Sequence, residues 1–260
     1  MKSLIDYSTL LPSLVGASVP RPNAALRGTL SGHAAGEPFE KLVYERLKAD
    51  APSIIYKQYE FLNDLFRTHP SAITEKERLA LFHSPIALFL LSRGKAATES
   101  WSPENPFQEK QNDTADILAY RDNVFELLDV KTRNLSKHAQ PPNIISAYKL
   151  AQMCALMFDN QRFEDVNLNY VEVAWEEQEN ATLVCKHAYY ANLFKTPPST
   201  LYINWAAAMQ IQFHVAEASQ TFDGTSQDWA QEYLRVFVAS AKERCRVMYD
   251  KYIRPFRKYL

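Results

Sequence analysis

Two apolar runs, "DILAY" (Asp116–Tyr120) and "VFELLDVKT" (Val124–Thr132), flank Asp122-Asn123, and this arrangement constrains the fold more than any other stretch of the chain. Both runs have strand length and are rich in apolar, β-branched and aromatic residues. Asp and Asn tolerate positive φ, so the pair suits a two-residue type I′ turn, whose twist matches that of the strands it joins. The register follows: Tyr120 faces Phe125, Leu118 faces Leu127, and Asp116 faces Asp129. Opposed residues on an antiparallel pair have Cβ atoms roughly 5 Å apart, so two carboxylates there repel. Side chains alternate along a strand, which puts Lys131 on the same side as Asp129.

One end of this hairpin therefore presents two carboxylates and an ammonium in mostly apolar surroundings. Facing carboxylates resolve their repulsion by sharing a proton or by binding a cation. Hard oxygen ligands select Mg²⁺, which takes one or two carboxylates together with a substrate phosphate. The backbone carbonyl of Val130, between the two charged positions, is a further candidate ligand. Lys131 would then sit beside the attacking water and a phosphate oxygen, where it can stabilise developing negative charge. Asp129-Val130-Lys131 is the one acid-x-Lys triplet in the chain. The plainer alternative is an Asp129–Lys131 ion pair at a strand end, with Asp116 capping the neighbouring strand.

The remainder of the chain fits an α/β protein with helices flanking a sheet. Pro38 predicts a helix over "PFEKLVYERLK", with Phe39, Leu42, Val43 and Leu47 at helical spacing. Thr74 and Glu77 form a capping box before the next helix, and Pro85 opens another that ends at "SRGK". A helix is predicted from Asn143 through "IISAYKLAQMCALMF", a strand at "NYVEVAWE", and a long C-terminal helix capped by Thr225 and Asp228 and ended by Pro255. No repeat or linker divides the sequence, which reads as a single domain over residues 1–260 with a flexible N-terminal arm up to Gly28.

At 260 residues with 47% apolar side chains the chain can bury a sizeable core. Its formal charge of −1 gives no composition-level sign of a polyanion partner, so a nucleic-acid surface must be local. Local basic stretches exist: Lys131, Arg133 and Lys137 without an intervening acid, and Lys251, Arg254, Arg257 and Lys258 at the end. Three widely spaced cysteines fit a reducing compartment, so a cytoplasmic location is expected. Cys185 and His187 lack the second ligand pair that a zinc site needs. Asp6 and Pro12 interrupt the N-terminal apolar stretch, and "IALFLL" is too short to span a bilayer, so a soluble protein with no membrane partner is expected.

Asp116-x₁₂-Asp129-Val130-Lys131 resembles the PD-(D/E)xK nuclease signature, with Ala115 where the family name has Pro. The blocks "GTLSGHAAGEPFEKLVY", "LFLLSRGKAATE", "EKQNDTADIL", "ELLDVKTRN", "PNIISAYKLAQ" and "LYINWAAAMQIQFH" extend the likeness to the HincII/HindII family of type II restriction endonucleases. The match is weakest in the N-terminal arm, around 163–200 and in the C-terminal helix. The resemblance implies a restriction-endonuclease-like fold, with a central mixed β-sheet flanked by helices and DNA-reading loops. It implies a Mg²⁺-dependent homodimer that cuts double-stranded DNA at GTYRAC between Y and R. The ends would be blunt, with 5′-phosphate and 3′-hydroxyl groups.

The resemblance also places Asp116, Asp129 and Lys131 at catalytic positions and Gln140 at a glutamine that intercalates outside the recognition site. Asn143 falls at a base-contacting position, and Tyr202, Asn204 and Ala207 in a second reading segment. Lys95, Gln111 and Thr132 match positions near the DNA backbone or the site. His138 and Pro141 beside Gln140 replace smaller residues, which bears on flanking-sequence preference and not on cleavage. A cognate DNA methyltransferase would protect host DNA without forming a stable complex. Two other readings stay open: a structure-selective repair or recombination nuclease of the same fold, and a DNA-binding protein with a dead site.

Overall fold

The computed structural model describes residues 3–22, 32–68, 74–92, 114–138, 140–178 and 181–260. The strands are β1 (Ser18–Pro20), β2 (Ile55–Tyr56), β3 (Ile117–Arg121), β4 (Val124–Asn134), β5 (Asn143–Ser146), β6 (Val166–Glu177), β7 (Thr182–Asn192), β8 (Tyr202–Asn204) and β9 (Gln210–Gln212). The α-helices are α1 (Tyr7–Leu14), α2 (Gly32–Asp50), α3 (Gln58–Thr68), α4 (Glu75–Phe82), α5 (Pro85–Leu91), α6 (Ala147–Asn160) and α7 (Ser226–Met248).

Asp122 and Asn123 take φ of +52° and +62°, as a type I′ turn demands. Tyr120 then pairs with Phe125, Leu118 with Leu127 and Ile117 with Leu128, the register that the turn chemistry predicts. Around this hairpin lies a six-stranded sheet in the order β1-β7-β6-β4-β3-β2. Its central β4·β6 pair is parallel and the other pairs are antiparallel, so the sheet is mixed. The parallel pair needs a crossover, which α6 supplies. A second sheet, β5-β9-β8, is antiparallel and three-stranded.

Alternation along β4 divides two cores. Phe125 and Leu127 join α3, α4, α5, α6 and α7 on one face. Leu128 and Val130 join α1 and α2 on the other. Trp229 and Tyr233 of α7 are fully buried in the first core and donate to the carbonyls of Thr196 (2.7 Å) and Ala147 (2.8 Å).

Several local predictions change in the folded chain. The capping boxes at Thr74/Glu77 and Thr225/Asp228 both form. The helix expected from Asn143 begins only at Ala147, because Ser146 accepts from the Lys149 N–H as its cap. Asn143–Ser146 pairs with β9 instead, an extended role that suits Ile144 and Ile145. Helix α2 begins at Gly32 and not at Pro38, which lies inside it and leaves one intrahelical hydrogen bond unmade. Regular α-helix at the C-terminus stops at Met248; a π-helical turn and a 3₁₀ segment containing Pro255 continue from it.

Of the N-terminal arm expected up to Gly28, residues 3–22 are described and pack against the sheet, while 23–28 lie outside the described residues. Tyr7, Leu10 and Leu14 of α1 are buried, and β1 pairs with β7 at the sheet edge. A buried carboxylate, Glu126 on β4, tethers it. That carboxylate accepts from Ser3 Oγ (2.8 Å), Leu4 N (2.5 Å), Tyr7 Oη (2.7 Å) and Asn169 Nδ2 (2.7 Å). Removing residues 1–7 would strand a desolvated charge, so we expect a loss of about 2–3 kcal/mol. A urea midpoint unchanged by that truncation would contradict the tether.

Candidate active site

Asp116 lies one residue before the first paired residue of β3 and beside the middle of β4. Its Oδ2 accepts from the Val130 N–H at 2.7 Å, across 14 residues of chain. In an extended strand the N–H and C=O of one residue point to the same edge, so the Val130 carbonyl also faces the Asp116 side. Asp129 and Lys131 share the face of Phe125 and Leu127 by alternation. Lys131 Nζ is 2.7 Å from Asp129 Oδ2, and both side chains keep only about a fifth of their surface accessible, at 20% and 17%.

Burial, then the adjacent Asp129 charge and hydrogen bonding between the two carboxyls, raise the Asp116 carboxyl well above the ordinary carboxylate range. Burial pulls Lys131 down, but Asp129, Asp116 and Glu40 outweigh it, so its pKa stands above that of an ordinary lysine. Lys131 is therefore an ammonium at neutral pH. Tyr170, paired with Asp129 on β6, is buried, and burial with that carboxylate raises its phenol. The site is a largely buried cluster of two carboxyl groups and one cation.

Hard oxygen donors, two carboxyl groups against one ammonium, fit a small divalent cation that displaces the Asp116 proton, with Asp116, Asp129 and the Val130 carbonyl as its holders. Among the described residues no group of three or more His, Cys, Asp and Glu side chains comes together. The plainer sequence reading, an Asp129–Lys131 ion pair, is also true of the structure, but Asp116 belongs to the same cluster and does more than cap a strand.

Of the residues expected to touch DNA, Asn143, Tyr202 and Asn204 lie on the smaller sheet and Ala207 in its β8–β9 turn. Gln140 is exposed in the segment joining β4 to β5, and Asn143 is exposed at the start of β5. Tyr202 on β8 is 63% exposed. Asn143 Oδ1 accepts from Gln212 Nε2 (2.8 Å), and Gln212 Oε1 accepts from Asn204 Nδ2 (2.9 Å), giving a polar row across all three strands. Asn204 Oδ1 also accepts from the N–H groups of Ala206 and Ala207, closing the turn in which Ala208 and Met209 have positive φ. Thr132 is half-buried on β4 next to Lys131. Lys95 and Gln111 lie outside the described residues.

Sequence reasoning missed several groups. Glu40 on α2, ion-paired with Lys57, contributes to the field at Lys131. Glu172 on β6 accepts from the Val215 N–H (2.9 Å) just after β9, and Arg133 lies 3.8 Å from Glu172 and 3.4 Å from Glu217. This strut joins the smaller sheet to the strand that carries Lys131. Gln212 was passed over as well, although its place two residues after Gln210 in an alternating strand marks it as sharing that residue's face. The three cysteines are unpaired; burial raises the Cys185 thiol to about 11.

The family described as restriction endonuclease HincII matches residues 10–260. The type II restriction enzyme HindII of Haemophilus influenzae (strain ATCC 51907 / DSM 11121 / KW20 / Rd) is 58% identical over 254 residues, covering 98% of this chain and 97% of the relative. HincII of Haemophilus influenzae is likewise 58% identical over 98% of this chain and 97% of its own. Among solved structures, the NlaIV restriction endonuclease aligns with a TM-score of 0.38 and 9% identity over 93% of this chain and 90% of that one. With a likeness of this extent running through both the Asp116–Lys131 hairpin and the smaller sheet, the chain belongs to the HincII family of restriction endonucleases.

Proposed function

We propose that this protein is a type II restriction endonuclease that hydrolyses phosphodiester bonds of duplex DNA with Mg²⁺, as a homodimer acting at GTYRAC and cutting between Y and R. The observation that carries the reading is the contact of Asp116, Asp129 and Lys131 at the end of one hairpin, in a chain whose curated relatives are named type II restriction enzymes.

Asp116 and Asp129 would hold the metal with the Val130 carbonyl, and the Val130 N–H keeps Asp116 aimed at it. Bound there, Mg²⁺ supplies Lewis-acid polarisation of the scissile phosphate and neutralises charge. The Lys131 ammonium faces the phosphate oxygens and stabilises the charge that grows on them as water oxygen attacks phosphorus. The bond from phosphorus to the 3′ oxygen breaks, that oxygen takes a proton, and the phosphate stays on the 5′ side. Asn143, Asn204 and Gln212 form the row suited to adenine edges, which Asn and Gln bind in bidentate fashion. A two-fold site calls for a two-fold dimer, one subunit per strand. A central pyrimidine–purine step deforms easily, so its degeneracy fits selection by shape. In the host, a methyltransferase would protect the same sites without a lasting complex, in the cytoplasm. No helix among the described residues is long and apolar enough to cross a membrane.

Plasmid digestion followed by end sequencing tests the reading. Discrete blunt ends at GTY/RAC, lost on chelation with EDTA and restored by Mg²⁺, are expected. Nicking that follows DNA structure and ignores sequence would favour a repair-type nuclease instead. Tight duplex binding without any cleavage would make it a DNA-binding protein.

A further inference from the structure

We infer that Gln58 is a positioning residue that holds Asp116 in place; the inference rests on the nuclease reading only where activity is measured. Gln58 opens α3, is 1% exposed and has its amide turned to three backbone groups. Its Oε1 accepts from the N–H groups of Thr114 (3.1 Å) and Ala115 (3.2 Å), the two residues immediately before Asp116. Its Nε2 donates to the Leu91 carbonyl at 3.3 Å.

The need for such a residue follows from the strand register. The β3·β4 ladder begins at Ile117, so the backbone of Thr114, Ala115 and Asp116 is not held by that pairing. From its C-terminal side Asp116 is set by the hairpin; from its N-terminal side it is set by the Gln58 amide. Two consecutive N–H groups, one on a residue only 3% exposed, would otherwise lack these bonds, and a buried unpaired donor is costly enough to pull the backbone elsewhere. The hydroxyl of Thr114 supports the same position by donating to the Leu90 carbonyl (2.6 Å) while it accepts from Lys149 Nζ (2.5 Å). Catalytic geometry is sensitive to such support, since a displacement of about 1 Å can cost ~10²-fold in rate.

Two variants separate positioning from packing. Gln58→Leu keeps the volume and removes the acceptor; Gln58→Glu keeps an acceptor for both N–H groups, and in the neutral form that burial favours its hydroxyl can donate to Leu91 in place of the amide. Cleavage of a duplex carrying GTYRAC in Mg²⁺ should fall about 30-fold or more in kcat for Gln58→Leu, with KM for DNA within about threefold of wild type. Gln58→Glu should recover most of that loss. Independently of activity, exchange of the Val130 amide, which Asp116 protects, should quicken about tenfold in Gln58→Leu relative to neighbouring amides of the β4·β6 ladder. Unchanged Val130 exchange in Gln58→Leu overturns the inference, as does equal impairment of both variants. If wild type cleaves no duplex, the nuclease reading fails, and the amide exchange alone decides the role of Gln58.

Discussion

Lys131→Ala is expected to lower kcat for DNA cleavage by about 10²–10³-fold, the usual cost of deleting one group aimed at charge that develops in the transition state. Lys131 is the cation of a buried cluster with two carboxylates, and its pKa is raised, so at neutral pH it acts as a positive charge and donor. Duplex affinity measured in Ca²⁺, a non-catalytic stand-in for Mg²⁺, should change much less, because Asn143, Asn204 and Gln212, proposed to read the bases, sit on the smaller sheet. Single-turnover cleavage with saturating enzyme isolates the chemical step. A Lys131→Ala protein that cut as fast as wild type would remove Lys131 from the mechanism and leave it as a strand-end ion-pair partner.

Asp116→Asn should abolish cleavage, by about 10³-fold or more if a metal-holding carboxylate is lost, and yet stabilise the metal-free protein. The sign follows from linkage. Burial and Asp129 raise the Asp116 pKa in the folded state, so the fold binds this proton more tightly than the unfolded chain does. The resulting stability is fully present below the unfolded value of roughly 3.9 and is lost as pH rises through the folded pKa. Asparagine copies the protonated, hydrogen-bonding form at every pH. Its melting temperature should therefore match wild type near pH 4 and exceed it at neutral pH by about 3 °C or more, the shift that one kcal/mol produces in a domain of this size. Excess Mg²⁺ should narrow the gap by stabilising wild type alone. A gap independent of pH would show that the two carboxylates do not share a proton.

How far the sequence could be read depended on the distance over which each feature is specified. The hairpin was legible because Asp122 and Asn123 select a turn on local grounds, and the turn fixes every pairing up to Ile117 and Leu128, one residue short of Asp116 and Asp129. Helix caps at Thr74 and Thr225 were legible for the same reason. The strand β5 was not, since Ile144 and Ile145 suit either period and only pairing with β9 decides between them. Gln58 and Glu126 carried no signal at all: their partners lie up to 57 and 123 residues away, and nothing in the local pattern names them. The likeness to a known family supplied Asn143, Asn204 and Tyr202, which composition and periodicity would have left as ordinary strand and loop residues.

The Glu126 tether also sets an order of events as the chain is made. Its donors include residues 3, 4 and 7 at the beginning and Asn169 well past the middle, with the acceptor itself at 126. At ~5–20 residues per second, Asn169 is synthesised roughly 10–30 s after Tyr7. Contacts of such wide sequence separation close late, because the loop entropy must be met before they give any return. A segment made long before its partners is thus among the last to dock, and β4 gains its full support only once β6 is in place. A nascent chain that already holds Asp116, Asp129 and Lys131 is consequently still without the rigid strand those residues work from, so cleavage competence arrives with completion of the sheet and not with synthesis of the motif.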